Sequence, residues 1–236
     1  MTSSPTRLVL FDIDGTLVLT GGAGKRAMDR AFADAFGIAN AFADVPMGGR
    51  TDRYLIERGL ERWGMPASAA ALEAFRRHYL RHLAESIHEP GHGTKGTMPG
   101  VAALLDALDE RPAVQTALLT GNYEAGARIK LTHFELWHRF AWGAFGDDHA
   151  ERDELARAAV AAAAGRGVAL ADRSHAVIVG DTPFDIACAR AAGARVVAVA
   201  TGGHSLDELQ ALGPDLAVGD LTELDAVLAL IDDLRR

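Results

Sequence analysis

The feature that most constrains this chain is the stretch from Arg7 to Leu17. A short apolar run rich in β-formers, Leu8-Val9-Leu10-Phe11, ends in Asp12 and Asp14, followed by Gly15 and Thr16. The run predicts a buried strand whose carboxyl end presents carboxylates to a loop. Side-chain alternation in an extended chain puts Asp12 and Asp14 on the same side. Two like charges about 4 Å apart, at an effective dielectric of about 20, repel by roughly 4 kcal/mol. A cation, a proton or both therefore belong between them. Taken alone, the stretch also reads as a strand ending in an Asx-type turn, and the rest of the chain has to decide.

The 236 residues suffice for one large or two modest domains, and an apolar fraction of 49% allows a sizeable core. A net charge of −8 without a long basic run argues against nucleic acid as a partner. It does not exclude a phosphate substrate, because a bound metal reverses the field locally. The single cysteine, Cys188, permits no intramolecular disulfide and sits in an Ala-rich helical pattern, where it reads as a small core residue. Met1–Thr6 carries no signal-peptide pattern, and no stretch approaches the roughly 18 apolar residues of a membrane span. The expectation is a cytoplasmic protein with no membrane partner.

Gly21 to Lys25 invites a phosphate-loop reading but fails the template, since Leu19 stands where a glycine is required and Arg26 where Ser or Thr is required. The segment reads as an exit from the first strand, with Lys25 solvated in a helix over 23–36 ended by Gly37. Thr51 or Asp52 caps a second helix to about Trp63, and Ser68 a third to about His88. The i, i+4 pairs His78/His82 and His88/His92 have zinc-compatible spacing but lack a third ligand in register, so they read as a solvated face. Gly91 to Gly96 fits G-x-G-x-x-G but follows a helix, so it reads as a hinge rather than a dinucleotide site. Roughly 65 helical residues without a strand signal thus form an insert, residues 21–93. The remainder, 1–20 and 94–236, forms a core.

From Pro99 onward strands and helices alternate. Strands are expected at Val114–Leu119, Phe140–Phe145, His175–Gly180, Arg195–Ala200 and Asp215–Val218, with helices over 122–134 and 149–164 among those between them. This rhythm predicts an α/β fold, a doubly wound, mostly parallel Rossmann-like sheet, in which ligands bind outside the carboxyl ends of the strands. Those ends carry Asp12 and Asp14, Thr120-Gly121-Asn122, Asp147-Asp148, and Asp181 with Asp185. If the strands are neighbours, the carboxylates form an oxygen-rich site best suited to Mg²⁺. Thr120 and the N–H groups at the start of helix 122–134 form a phosphate cradle.

With these residues in place, the sequence resembles the haloacid dehalogenase-like hydrolases, most of which are phosphatases. Asp12-Ile13-Asp14-Gly15-Thr16 matches the family's D-x-D-G-T. Leu119-Thr120 matches its apolar strand ending in Thr or Ser. Gly180-Asp181 through Asp185 matches G-D-x-x-x-D. The helical insert lies where the family carries an α-helical cap. The resemblance implies a Mg²⁺-dependent phosphomonoesterase, similar to phosphoglycolate phosphatase, acting on a small phosphorylated metabolite. It implies Asp12 as nucleophile and Asp14 as general acid, with Thr120 on a phosphoryl oxygen. The metal would be held by Asp12, the Asp14 carbonyl and Asp181, with Asp185 close by. The family's lysine after the third strand is missing. Arg152, in the first turn of the next helix, is the preferred replacement. Lys130 is the rival, set aside because helix 122–134 leaves the rim and carries Lys130 with it. Arg50, in the Gly-rich loop of the cap, is the candidate reader of a substrate anion. Asp14 favours phosphoryl transfer over dehalogenation, since a halide needs no proton. A phosphomutase shares the aspartate pair, and a non-catalytic phosphate-binding protein would normally have lost a carboxylate.

Overall fold

A computed structural model describes residues 7–147 and 149–233. Met1–Thr6, where the signal-peptide reading falls, and Asp148 lie outside the described residues. The chain enters through β1 (Arg7–Phe11), turns into a short β2 (Val18–Thr20), and passes through three helices, α1 (Ala23–Phe36), α2 (Asp52–Arg62) and α3 (Ala69–Ser86). It returns through β3 (Lys95–Thr97). Alternation follows: α4 (Val101–Asp109), β4 (Val114–Leu119), α5 (Glu124–His133), β5 (Gly143–Ala144), α6 (Arg152–Ala162), β6 (Ala176–Gly180), α7 (Pro183–Ala192), β7 (Arg195–Val199), α8 (Leu206–Ala211), β8 (Leu216–Val218) and α9 (Leu224–Asp232).

Six strands form one sheet in the order β5-β4-β1-β6-β7-β8, with every neighbouring pair parallel. β1 is central and fully bonded on both sides, as its run of apolar residues requires. Alternation divides its side chains. Val9 and Phe11 join Leu104, Leu105, Leu131 and Val227 on one face, while Leu8 and Leu10 join Leu155, Ile186 and Leu209 on the other. Helices α4, α5 and α9 therefore cover one face, and α6, α7 and α8 the other. Cys188 is buried among the second set, as a small core residue.

Helices α1 to α3 bury their apolar stripes in a third cluster around Phe32, Phe42, Phe75 and Tyr79. The rings of Phe32 and Phe42 meet edge to face at 5.4 Å. Caps follow the sequence: Thr51 Oγ1 accepts from Tyr54 N at the start of α2, Ser68 Oγ from Ala71 N at the start of α3, and Gly37 ends α1 at φ 74°. His82 is not simply solvated. Its Nε2 lies 2.8 Å from Asp34 Oδ2 and ties α3 to α1.

Two short elements were not anticipated. β2 and β3 pair antiparallel, Val18 with Thr97 and Thr20 with Lys95, and staple together the two chain crossings between the helices and the sheet. Gly21 and Gly91 meet here: Gly21 N donates to Thr94 O at 3.0 Å and His92 N to Gly21 O at 3.1 Å. Two- or three-residue strands carry too little periodicity to be read from sequence. The expected strand Phe140–Phe145 shrinks to Gly143–Ala144, preceded by a 3₁₀ turn at Trp137–Arg139.

A side chain at position 91 would strike the Gly21 backbone. Gly91→Ala should therefore destabilise the protein by about 1–3 kcal/mol, read as a lower denaturant midpoint; an unchanged midpoint would show that the crossing tolerates separation.

Candidate active site

Each strand end places its chemistry on the same rim. Asp12 extends β1, its N–H donating to Val179 O at 3.0 Å, and is 4% exposed. Asp181 follows β6, and Asp185 lies in the first turn of α7. One oxygen from each of Asp12, Asp181 and Asp185 falls within 4.8 Å of the others. Gly15, at φ 84°, lets the loop after Asp14 pass so close to Asp181 that a Cβ there would overlap its carboxylate. Thr16 Oγ1 donates to Asp181 Oδ1 at 3.1 Å. Asp185 Oδ2 accepts from Thr182 N at 3.0 Å and Thr182 Oγ1 at 2.7 Å.

Arg152, the first residue of α6, reaches into this cluster. Its Nη2 lies 3.2 Å from Asp12 Oδ2 and pairs with Asp185 Oδ1. Burial works against its charge, but Asp12 and Asp185 outweigh that, and the guanidinium titrates well above its ordinary range. One guanidinium does not balance three carboxylates. Burial, opposed by Arg152 and reinforced by Asp185 and Asp14, raises Asp12 to about 6. Burial, reinforced by Asp185 and Asp12, raises Asp181 to about 8. A set of buried hard oxygen donors with surplus negative charge fits a small divalent cation.

Asp14 points into the cavity above. Its carboxylate accepts from Lys130 Nζ at 2.6 and 2.8 Å and from Asn122 Nδ2 at 2.8 Å. Lys130 also donates to Asn122 Oδ1 at 2.6 Å, and Asn122 Nδ2 to Thr120 Oγ1 at 2.8 Å. The reason for setting Lys130 aside thus fails. Lys130 lies six residues beyond the start of α5, and its side chain projects toward the helix N-terminus, as helical Cα–Cβ bonds do. Backbone rise along the helix misjudged the reach.

The helix-start cradle also needs correction. Tyr123 N donates to Asp52 Oδ2 at 2.9 Å and Glu124 N to Asp147 Oδ2 at 2.7 Å, so both amides are taken by carboxylates. Thr120, Gly121 and Asn122 still border the cavity.

That cavity measures about 200 Å³ and is lined by Asp12, Asp14, Thr120, Gly121, Asn122, Lys130 and Arg152 from the sheet side. The helical side contributes Lys25, Met28, Met47, Arg50, Asp52, Leu55 and Tyr79. A larger hollow of about 550 Å³ runs beside β5 and α6, but Asp12, Asp14, Asp181 and Asp185 do not line it. Arg50 is clamped between aromatic rings, its Cζ 4.0 Å from the Phe184 centroid and 4.6 Å from that of Tyr54. Lys25 borders the cavity while paired with Asp29 at 3.0 Å. Asp52 and Tyr79 carried no signal as cavity residues, because only the docking of α2 and α3 brings them here.

The buried cluster makes a pH prediction. Carboxylates raised above their unfolded values bind more protons in the folded state. Their contribution to stability is therefore fully present below the ordinary carboxylate range, near pH 4, and is lost as pH rises through about 6 and about 8. In chelator, the melting temperature should drop between pH 5 and pH 8, and Asp181→Asn should flatten the drop. A melting temperature that rises over this range would contradict the charge surplus.

Residues 6–193 match the haloacid dehalogenase-like hydrolase family. The chain is 32% identical over 216 residues to a phosphoglycolate phosphatase of Rhodospirillum rubrum, covering 91% of this chain and 87% of that one. It is also 32% identical over 231 residues to a plasmid phosphoglycolate phosphatase of Cupriavidus necator, covering 96% and 94%. The crystal structure of a hydrolase from Pseudomonas syringae superposes with a TM-score of 0.74 at 22% identity, over 97% of this chain and all of that one. The aspartate pair, the six-stranded sheet and these likenesses agree: the chain belongs to the haloacid dehalogenase-like hydrolases.

Proposed function

We propose that this protein is a Mg²⁺-dependent phosphatase that hydrolyses small phosphate monoesters through an aspartyl-phosphate on Asp12. The observation that carries the reading is the division of labour between two carboxylates on one rim. Asp12 is buried beside Arg152 with the metal-fitting aspartates, while Asp14 faces the cavity, held at both oxygens by Lys130 and Asn122. In the first step an Asp12 oxygen bonds to phosphorus as the ester P–O bond breaks; Asp14, which takes up a proton as substrate binds and Lys130 turns to the phosphoryl group, gives that proton to the departing alkoxide. In the second, Asp14 takes a proton from water as the water oxygen attacks phosphorus, releasing phosphate and restoring Asp12. Asp12, the Asp14 carbonyl and Asp181 would hold Mg²⁺, with Asp185 behind, and the ion would offset the repulsion between carboxylate and phosphate.

Thr120 would bind a phosphoryl oxygen, and Lys130 would be the basic residue at the phosphoryl group. Arg152 would instead set Asp12 and Asp185, because both its close carboxylate partners lie in the buried cluster. Residues 21–93 would act as the cap that excludes water and selects the leaving group. The names of the relatives make phosphoglycolate the first ester to test, with Arg50 and Lys25 the cations nearest a substrate carboxylate.

Phosphate release from a panel of small esters should require Mg²⁺ and stop in chelator; no release from any ester would overturn the reading. Asp12→Asn should reduce turnover to background, and Asp14→Asn should lower kcat by about 10²–10⁴-fold. Lys130→Ala should lose activity while keeping cation affinity, and Arg152→Ala should weaken both. Halide release, or interconversion of sugar phosphates without net phosphate release, would instead identify a dehalogenase or a mutase.

A further inference from the structure

One buried carboxylate in the cavity has no part in the chemistry above. Asp52 is 5% exposed, at the first position of α2. An acid there is ordinary in local terms, since it faces the positive end of its own helix. The Asp52 side chain reaches elsewhere. Its Oδ2 accepts from Tyr123 N at 2.9 Å, while its own N–H donates to Gly121 O at 2.7 Å. Two hydrogen bonds of opposite sense therefore join one residue of the helical unit to both ends of the segment Gly121–Tyr123.

α5 has no cap of its own. Tyr123 stands at its N-cap position and offers no side-chain acceptor for the helix start. A helix without a cap leaves its first N–H groups unsatisfied. Asp52 supplies one acceptor from across the interface. Asp147 supplies the next, at Glu124 N, and is itself paired with Arg76 of α3 at 2.6 Å. Arg76 Cζ also lies 4.9 Å from the Tyr123 ring centroid. The first turn of α5 is thus finished by the helical unit, directly through Asp52 and indirectly through Arg76. That turn adjoins Thr120–Asn122, and the helix it begins carries Lys130, which holds Asp14.

We propose that Asp52 is a positioning residue: by capping α5 only when the helical unit is docked, it sets Thr120–Asn122 and Lys130 in their working geometry. Closure is then read by the catalytic side chains through the backbone at residues 121–123, independently of which leaving group fills the cavity. An undocked helical unit leaves α5 uncapped and Asp14 poorly held, so phosphoryl transfer is confined to the closed, water-poor state. The kinetic part rests on the phosphatase reading, whereas the capping part does not.

The test compares wild type with Asp52→Ala and Asp52→Asn, the second of which keeps an acceptor oxygen. Amide exchange at Tyr123 should be about 10-fold faster in Asp52→Ala and near wild type in Asp52→Asn. With Mg²⁺, kcat of Asp52→Ala should fall about 10- to 100-fold, by the same factor for phosphoglycolate and p-nitrophenyl phosphate. Asp52→Asn should recover to within about threefold of wild type. Unchanged exchange at Tyr123 in Asp52→Ala would overturn the proposal. So would a kcat loss confined to one ester, which would make Asp52 a substrate contact. So would Asp52→Asn failing as badly as Asp52→Ala. If wild type releases no phosphate, the phosphatase reading fails, while the exchange measurement still decides whether Asp52 caps α5.

Discussion

Three carboxylates packed against one guanidinium set the terms for the rest of this structure. Asp12, Asp181 and Asp185 share a space that, among the described residues, Arg152 alone enters as a cation. Buried charge of one sign is expensive, and the fold has to hold the groups together against their repulsion. The holding elements are specific. β1 and β6 are hydrogen-bonded neighbours, so Asp12 and Asp181 leave adjacent strand ends. Thr182 binds Asp185, Thr16 binds Asp181, and Gly15 admits the loop against it. The surplus charge is what lets the same residues fit a divalent cation and, beside it, an anionic phosphoryl group.

A second constraint acts from above. Asp14 belongs to the same loop as Asp12 but to a different environment, with 41% of its side chain exposed against 6% for Asp12. Lys130 and Asn122 hold it from α5 and the loop that precedes α5. The position of that loop depends on contacts from the helical unit, since Asp52 bonds both Gly121 and Tyr123 and Thr51 Oγ1 donates to Ala150 O at 2.7 Å. Gly49 passes against Thr182 and Phe184, and Arg50 stacks on Phe184. One short segment, residues 49–52, thus touches the loops after β4, β5 and β6. A small movement of that segment would be felt by three strand ends at once.

Much of this was legible from residues alone. The apolar run before Asp12, the Thr at 120 and the Asp181/Asp185 spacing located three strand ends that could share one rim, while their order in the sheet came only with the structure. That works because a parallel strand buried on both faces must be apolar, and its polar terminus stands out. Helix ends at Thr51, Ser68 and Gly37 were readable because caps are local chemistry. What escaped was set by docking. Nothing local marks Asp52 as the cap of a helix seventy residues later, and nothing marks Asp147 as its neighbour. Lys130 was misplaced for a related reason: rise along a helix gives the backbone position, while a long side chain tilted toward the N-terminus recovers much of that distance. β2 and β3 were missed because three residues are too few to show a period.

The arrangement around Asp14 also separates the chemistries that this fold family supports. A halide departs without a proton, so a dehalogenase gains nothing from a carboxyl group directed at the leaving atom. Here the Asp14 carboxylate is held at both oxygens, by a buried lysine and by an asparagine that itself binds Thr120. Fixing a side chain this firmly costs rotamer freedom in Asp14, Asn122 and Lys130 together. The cost is understandable where the group must meet a developing alkoxide at one defined place and then turn to water at the same place. The network also links Asp14 to Thr120, so the groups that would hold the phosphoryl oxygens and protonate the leaving group cannot shift independently. Coupling of that kind suits a reaction in which P–O cleavage and proton transfer share one transition state.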